Sequence, residues 1–150
     1  MILHGIALKT AKRGPMEQVS SAEVTVSSGI AGDWRGRGGL LHRRQVTLIS
    51  LQQWEATCKE LGVNLPWTTR RANLCISGLE FEPRDVGAMI YIGPTVALEV
   101  TGETDPCRRM DEARQGLRAA LMPNWRGGVT CRVVRAGTIQ VNNQVGHSAV

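Results

Sequence analysis

A chain of 150 residues with 42% hydrophobic and 21% charged residues can bury one core without a disulfide or metal staple, which excludes a disordered or stapled miniprotein. The net charge is +5, and fifteen arginines stand against three lysines, a bias suited to phosphates and carboxylates. The arginines are scattered and only one Tyr and one Phe accompany the four Trp, which argues against nucleic acid as a partner.

The elements follow in chain order as one domain over 1–150. Ile2–Leu8 reads as a strand, and the alternation of Ala22, Val24 and Val26 makes 19–27 a second. The glycine-rich stretch 29–39 reads as a loop, and 45–51 is again strand-like. Ser50 and Gln53 form a capping-box pattern, and Leu51, Trp54, Cys58 and Leu61 recur at helical spacing up to Gly62. Strands are expected at 72–76, Met89–Ile92 and 96–101, with a hairpin at Gly93-Pro94. Met110, Ala113, Leu117 and Leu121 outline a helix that Gly116 invites to break in two and Pro123 stops. Strands at Val129–Arg135 and 138–141 follow. Many short strands with two or three helices predict a mainly β, α+β fold with a β-barrel or strongly curved sheet.

The four cysteines show no framework or CxxC spacing, and His4, His42 and His147 lie far apart, so a structural zinc site is not expected. Reduced thiols, no apolar run of about 18 residues and no leader-like start point to a cytoplasmic protein with no membrane partner. Cys107 differs from the other three. Asp105 suits an N-cap and Pro106 the first helical position, which places Cys107 in a first helical turn. The helix dipole and Arg108 and Arg109 then favour its thiolate below the usual pKa of about 8.5, opposed by Asp111 and Glu112. A thiolate can ligate a soft metal, carry a persulfide or attack an electrophile, whereas the plain alternative is a small residue at a helix start.

Several pieces recur together: Gly29-Ile30-Ala31-Gly32-Asp33, Gln45-Val46-Thr47-Leu48-Ile49-Ser50, Arg70-Arg71-Ala72-Asn73-Leu74 and Gly78, then Gly87 and Ile92-Gly93. They continue with Leu98-Glu99-Val100-Thr101-Gly102, Pro106-Cys107-Arg108-Arg109-Met110, Gly127-Gly128-Val129 and Arg132-Val133. This ordered set, over nearly the whole chain, resembles the MOSC domain, the family named after the C-terminal domain of molybdenum cofactor sulfurase. The resemblance implies a barrel-like β fold with Cys107 as the functional cysteine. In amidoxime-reducing members that cysteine ligates the molybdenum of a pterin cofactor (molybdopterin); in the broader family it is proposed to carry sulfur as a persulfide. Arg71 and Asn73 match the family's Arg-x-Asn element of the cofactor pocket. Arg70, Thr101 and Arg108, inside the matching pieces, complete the cofactor-binding candidates.

By its chemistry Arg71 suits a phosphate or a solvated strand end, and Asn73 suits pterin edges or a turn. Asp33 suits the site or an Asx-turn, and Arg35 and Arg37 would add anion contacts if their loop folds over the pocket. Where amidoxime-reducing members place threonines after the cysteine, this chain has Arg108, Arg109 and Met110. Those members also carry a β domain ahead of the core domain, and some bacterial relatives carry a helical extension after it; this chain is expected to have neither. Three functions follow from the resemblance. One is a molybdenum-dependent reductase of N-hydroxylated compounds with an electron-donor protein. The second is a persulfide carrier that a cysteine desulfurase charges for cluster or cofactor sulfuration. The third is a non-catalytic anion-binding module.

Overall fold

The computed structural model describes residues 1–36 and 42–149, so Arg37 lies outside the described residues. The strands are β1 (Ile2–Leu8), β2 (Glu17–Val19), β3 (Ser21–Thr25), β4 (Gly29–Ile30), β5 (Val46–Ser50), β6 (Leu74–Ser77), β7 (Met89–Ile92), β8 (Val96–Glu103), β9 (Val129–Arg135), β10 (Gly137–Gln140) and β11 (Val145–Ser148). The α-helices are α1 (Leu51–Leu61), α2 (Arg108–Ala113) and α3 (Leu117–Leu121). Eight strands form a mixed sheet in the order β11-β7-β8-β9-β5-β6-β1-β2, and a three-stranded sheet has the order β10-β3-β4. Among the described residues only the β5–β6 pair is parallel, with α1 in its crossover.

The sheet curves without closing into a barrel. Its two ends meet at one isolated bridge, Ile2 to Gln144, flanked by hydrogen bonds from the Leu3 N–H to the Asn143 carbonyl and from the Asn142 N–H to the Leu3 carbonyl. The expected barrel is therefore corrected to a curved open sheet with a short seam. Leu3, Leu48, Leu74, Ile90, Leu98 and Val129 fill the concave side. A second cluster lies outside the sheet, where Ala7, Ile49 and Cys75 meet Trp54, Trp67, Met110, Leu117 and Leu121. Core on both faces explains why all five residues of β5 are buried, the polar Thr47 and Ser50 included.

Ser50 caps α1 by accepting a hydrogen bond from the Gln53 N–H at 3.2 Å, and Gly62, at φ 66°, closes the helix through the Cys58 and Lys59 carbonyls. Several boundaries differ from the sequence reading, and β2 lies ahead of the strand expected at 19–27. Gly29–Ile30, expected in a loop, pairs with β3 as β4, and β11 was not anticipated because Val145–Ser148 contains one strong strand former. The helix after Cys107 is two pieces, with Gly116 at φ 90° capping the second.

A 3-10 turn over Trp67–Arg70 follows α1. Gly5 lets it sit on β1, since a Cβ there would come within 2.6 Å of the Trp67 ring. Gly127 likewise lets the approach to β9 pass the chain before α2, where a Cβ would lie 2.4 Å from the Thr104 carbonyl. These two close approaches bring three segments together around one cavity.

Candidate anion and thiol site

The cavity encloses about 330 Å³ between the Trp67–Arg70 turn, α2 and the loops before β5 and β9. Five arginines line it, Arg35, Arg44, Arg70, Arg71 and Arg109, with Asp105 and Cys107 beside them. Among the described residues, none of these arginines is in an ion pair; the four ion pairs involve Arg84, Arg126, Arg132 and His147. Five guanidiniums around one concavity create a strongly positive field that favours an anionic occupant.

Each arginine is placed differently. Arg70 is buried and spans the site from below: its Nε donates to the Gly127 carbonyl and its Nη2 to the Thr104 carbonyl, both at 3.0 Å, and Nη1 lies 3.8 Å from the Met110 sulfur. Burial lowers its pKa to about 10, an effect that the nearby Cys107 and Asp105 oppose and Arg35 and Arg44 reinforce. Arg71 ends the 3-10 turn in the left-handed region at φ 66°. Its Nη2 donates to the Gly14 carbonyl, while its buried Nε has no hydrogen-bond partner among the described residues. Arg35 donates from Nη1 to Thr47 Oγ1 at 3.1 Å and to the Arg71 carbonyl at 3.2 Å. Burial pushes the pKa of both Arg35 and Arg71 down, with Arg109 adding to the effect.

Lys9, at the start of the β1–β2 connection, is only 7% exposed. Burial, then Arg35, Arg71 and Arg109, lower its pKa to about 8, with Asp33 opposing. Thr104, also in the lining, has a buried hydroxyl without a hydrogen-bond partner. Arg71 Nε and Thr104 Oγ1 are the two buried side-chain polar atoms so orphaned among the described residues, and both residues face this one cavity. A buried orphan donor costs about 1–3 kcal/mol, so two around one concavity point to a ligand that satisfies them.

A profile of the MOSC domain matches residues 23–146. The chain belongs to the MOSC domain family. Solved structures show the same fold at low identity. The YuaD protein from Bacillus subtilis superposes with a TM-score of 0.83 at 22% identity, covering 99% of this chain and 96% of that one. YiiM from Geobacillus stearothermophilus gives 0.77 at 14% over 97% of this chain and 74% of its own. YiiM from Escherichia coli gives 0.71 at 13% over 100% and 71%. Among curated proteins none matches the chain.

In this MOSC domain the sequence candidates separate. Cys107, Arg70 and Arg71 come together in the cavity. Cys107 is exposed, and Cys58, Cys75 and Cys131 are buried; burial pushes the Cys75 thiol up to about 12 and raises the Cys131 thiol as well. Cys107 is itself the N-cap of α2, with Asp105 and Pro106 ahead of it, instead of lying in the first turn as expected.

Asn73 does not face the cavity. It is fully buried, its Oδ1 accepts from the Thr47 N–H at 3.1 Å and from Thr47 Oγ1, and its Nδ2 donates to the Ala7 carbonyl at 3.2 Å. Its amide joins β1 to β5. Thr101 Oγ1 bonds to Thr130 and to the Arg43 carbonyl outside the cavity lining, and Arg108 is exposed beside it. Asp33 makes the Asx-turn, its carboxylate accepting from the Arg35 N–H at 3.1 Å and the Lys9 N–H at 3.0 Å, and this turn aims Arg35 inward.

Lys9, Arg44 and Thr104 escaped sequence reasoning, and Arg109 entered it only as a charge beside Cys107. Arg109 adjoins the candidate Arg108 and Arg44 opens β5, but their inward placement depends on loop paths that local patterns do not encode. Among the described residues no group of three or more His, Cys, Asp or Glu could hold a metal ion. Among the described residues no helix is long and apolar enough to cross a membrane.

Proposed function

We propose that this MOSC domain binds a phosphate-bearing molybdenum–pterin cofactor in the arginine cavity, with Cys107 as the protein's ligand to the metal, and reduces N-hydroxylated compounds. The observation that carries the reading is one exposed thiol in a cavity that also holds five arginines and two orphaned polar atoms. The donor set fits the group. A single cysteine cannot hold a metal alone, so the remaining donors must arrive with an organic ligand, and the cationic wall suits that ligand's phosphate.

In this reading Arg35, Arg71 and Arg109 neutralise the phosphate, with Lys9 adding charge behind them. Arg71 Nε supplies a donor already desolvated, and Thr104 Oγ1 donates to or accepts from the ligand's polar edge. Arg70 keeps α2 and the β9 approach at the spacing that defines the cavity. When bound, the cofactor supplies a two-electron redox centre. The overall reduction takes two electrons and two protons per hydroxyl removed and releases one water, and the electrons require a protein donor. The test is molybdenum and pterin analysis of protein purified from a cofactor-competent host beside its Cys107→Ser variant. Near-stoichiometric molybdenum in the parent alone supports the reading, and its absence from both overturns it.

The exposure of Cys107 also favours a persulfide carrier. Its thiolate would attack the terminal sulfur of a desulfurase persulfide, forming a Cys107 persulfide and releasing the desulfurase thiolate. Intact-mass measurement after incubation with cysteine and a desulfurase would show one added sulfur, absent in Cys107→Ser. Activity retained in Cys107→Ala would leave the anion-binding module.

A further inference from the structure

Thr104 and Cys107 belong to one short segment, 104–107, ahead of α2, and its backbone is fixed. The Thr104 N–H donates to the Gly128 carbonyl at 2.9 Å, and the Thr104 carbonyl accepts from Arg70 Nη2 at 3.0 Å. The Cys107 carbonyl accepts from the Met110 N–H at 2.9 Å, and Pro106 stiffens the link between the two residues. Their side chains, in contrast, are unspent. The Cys107 sulfur makes no capping hydrogen bond although the residue is the N-cap. Thr104 is only 8% exposed, and its buried hydroxyl has no partner among the described residues. Arg71 Nε, buried and equally unmatched, belongs to a residue of the same lining.

The state of these buried groups, more than any surface charge, singles out the cavity. A sulfur with no structural duty shares one concavity with desolvated donors that have no acceptor, and such donors suit an oxyanion. A thiol and an oxyanion site together fit a substrate that carries both a sulfur open to attack and an oxyanion that departs. A persulfide on another protein brings no oxyanion, so it would use the thiol and leave the donors idle. Thiosulfate uses both. Its outer sulfur is open to attack, and its leaving group, sulfite, is a weaker base than a protein thiolate and departs more readily.

We infer that the cavity takes thiosulfate as a sulfur donor, with Cys107 as the acceptor and Arg71 Nε and Thr104 Oγ1 holding the sulfonate end. The inference rests on the carrier reading of Cys107 and adds a small-molecule donor to it. The Cys107 thiolate attacks the outer sulfur, the S–S bond of thiosulfate breaks, and the electron pair of that bond leaves with sulfite. The products are a Cys107 persulfide and sulfite, with total charge conserved and no external oxidant. A nucleophile such as cyanide then takes the terminal sulfur as thiocyanate and returns the Cys107 thiolate.

The test uses the full chain from a host that lacks the pterin cofactor, so that Cys107 is unligated. Protein is incubated with thiosulfate and desalted, its intact mass is measured, and released sulfite is assayed. Turnover with thiosulfate and cyanide then gives kcat and KM. One added sulfur and one sulfite per chain, both absent in Cys107→Ser, are expected. Thr104→Val removes the unmatched hydroxyl at nearly constant volume, so the melting temperature should hold while KM for thiosulfate rises about tenfold. Arg71→Gln should raise KM by about as much, and Arg135→Gln, at the other end of β9, should leave it unchanged. No added sulfur overturns the inference, and so does a KM in Thr104→Val and Arg71→Gln equal to that of the parent. Charging by cysteine and a desulfurase without charging by thiosulfate would remove this donor and leave the carrier reading standing. Charging by neither would remove both.

Discussion

Arg70 and Arg71 are neighbours in sequence and occupy opposite regimes of one cavity. Arg70 is committed: its guanidinium bonds two backbone carbonyls and touches a sulfur, as Asn73 is committed to Thr47 and Ala7. Arg71 keeps a buried nitrogen unmatched and sits among Arg35, Arg109 and Lys9, cations that repel one another. Residue type does not distinguish structure from function here. The distinction lies in whether a buried polar group is already satisfied.

That contrast can be broken most sharply at the committed residues. Replacing Arg70 by Met strands the Thr104 and Gly127 carbonyls, and Asn73→Ala strands the Thr47 N–H and the Ala7 carbonyl. Each change is expected to cost about 3 kcal/mol of stability in urea denaturation. A loss within experimental error for either would remove it from the framework of the fold. Arg71→Gln should do the reverse: stability falls by less than about 1 kcal/mol, while affinity for inorganic phosphate or pyrophosphate falls about tenfold by calorimetry.

Lys9 gives the comparison a pH axis. Its pKa in the folded chain is lowered to about 8 from 10.5, so the unfolded chain binds more protons between those values. The contribution of this group to stability therefore rises as pH climbs from about 8 to 10.5, because the buried ammonium is relieved of its charge. Anion affinity should move the opposite way and decline as pH rises above about 8, since the ligand prefers the protonated lysine. Lys9→Met, followed by thermal melts with and without phosphate, should flatten the decline. A pH-independent affinity in the parent would place the anion elsewhere. The smallest expected effect is on cysteine: iodoacetamide should label native protein once, at Cys107, with no change in melting temperature.

Much of the fold was legible because its determinants are local. Ser50, Gly62 and the Leu51–Trp54–Cys58–Leu61 stripe define α1 within one segment, and β1, β7 and β9 have the bounds that their apolar runs suggest. β4 and β11 were missed because two or four residues pair only when a distant partner, Val24 or Ile92, presents an edge. Within the site, the position of Cys107 was readable, but its role as N-cap was not, since Asp105-Pro106 forms an equally good helix start in local terms. Arg71 and Asn73 look equivalent as a motif. They diverge because Arg71 turns left-handed at the end of the 3-10 turn while Asn73 enters the gap between β1 and β5. Lys9 could not be found at all, because the charges that act on it, Arg35, Arg71 and Arg109, arrive from elsewhere in the chain.

The seam between β1 and the approach to β11 bears on how the chain is made. Leu3 exchanges hydrogen bonds with Asn142 and Asn143, and the Val145 N–H donates to the Met1 carbonyl, so these residues are held by residues synthesised much later. During translation β1 can pair with β2 and β6, but its outer edge near Ile2 stays open until the 142–145 segment clears the ribosome. A nascent chain stalled before that point would expose an unpaired apolar strand edge, and that interval is when a chaperone would have most to do.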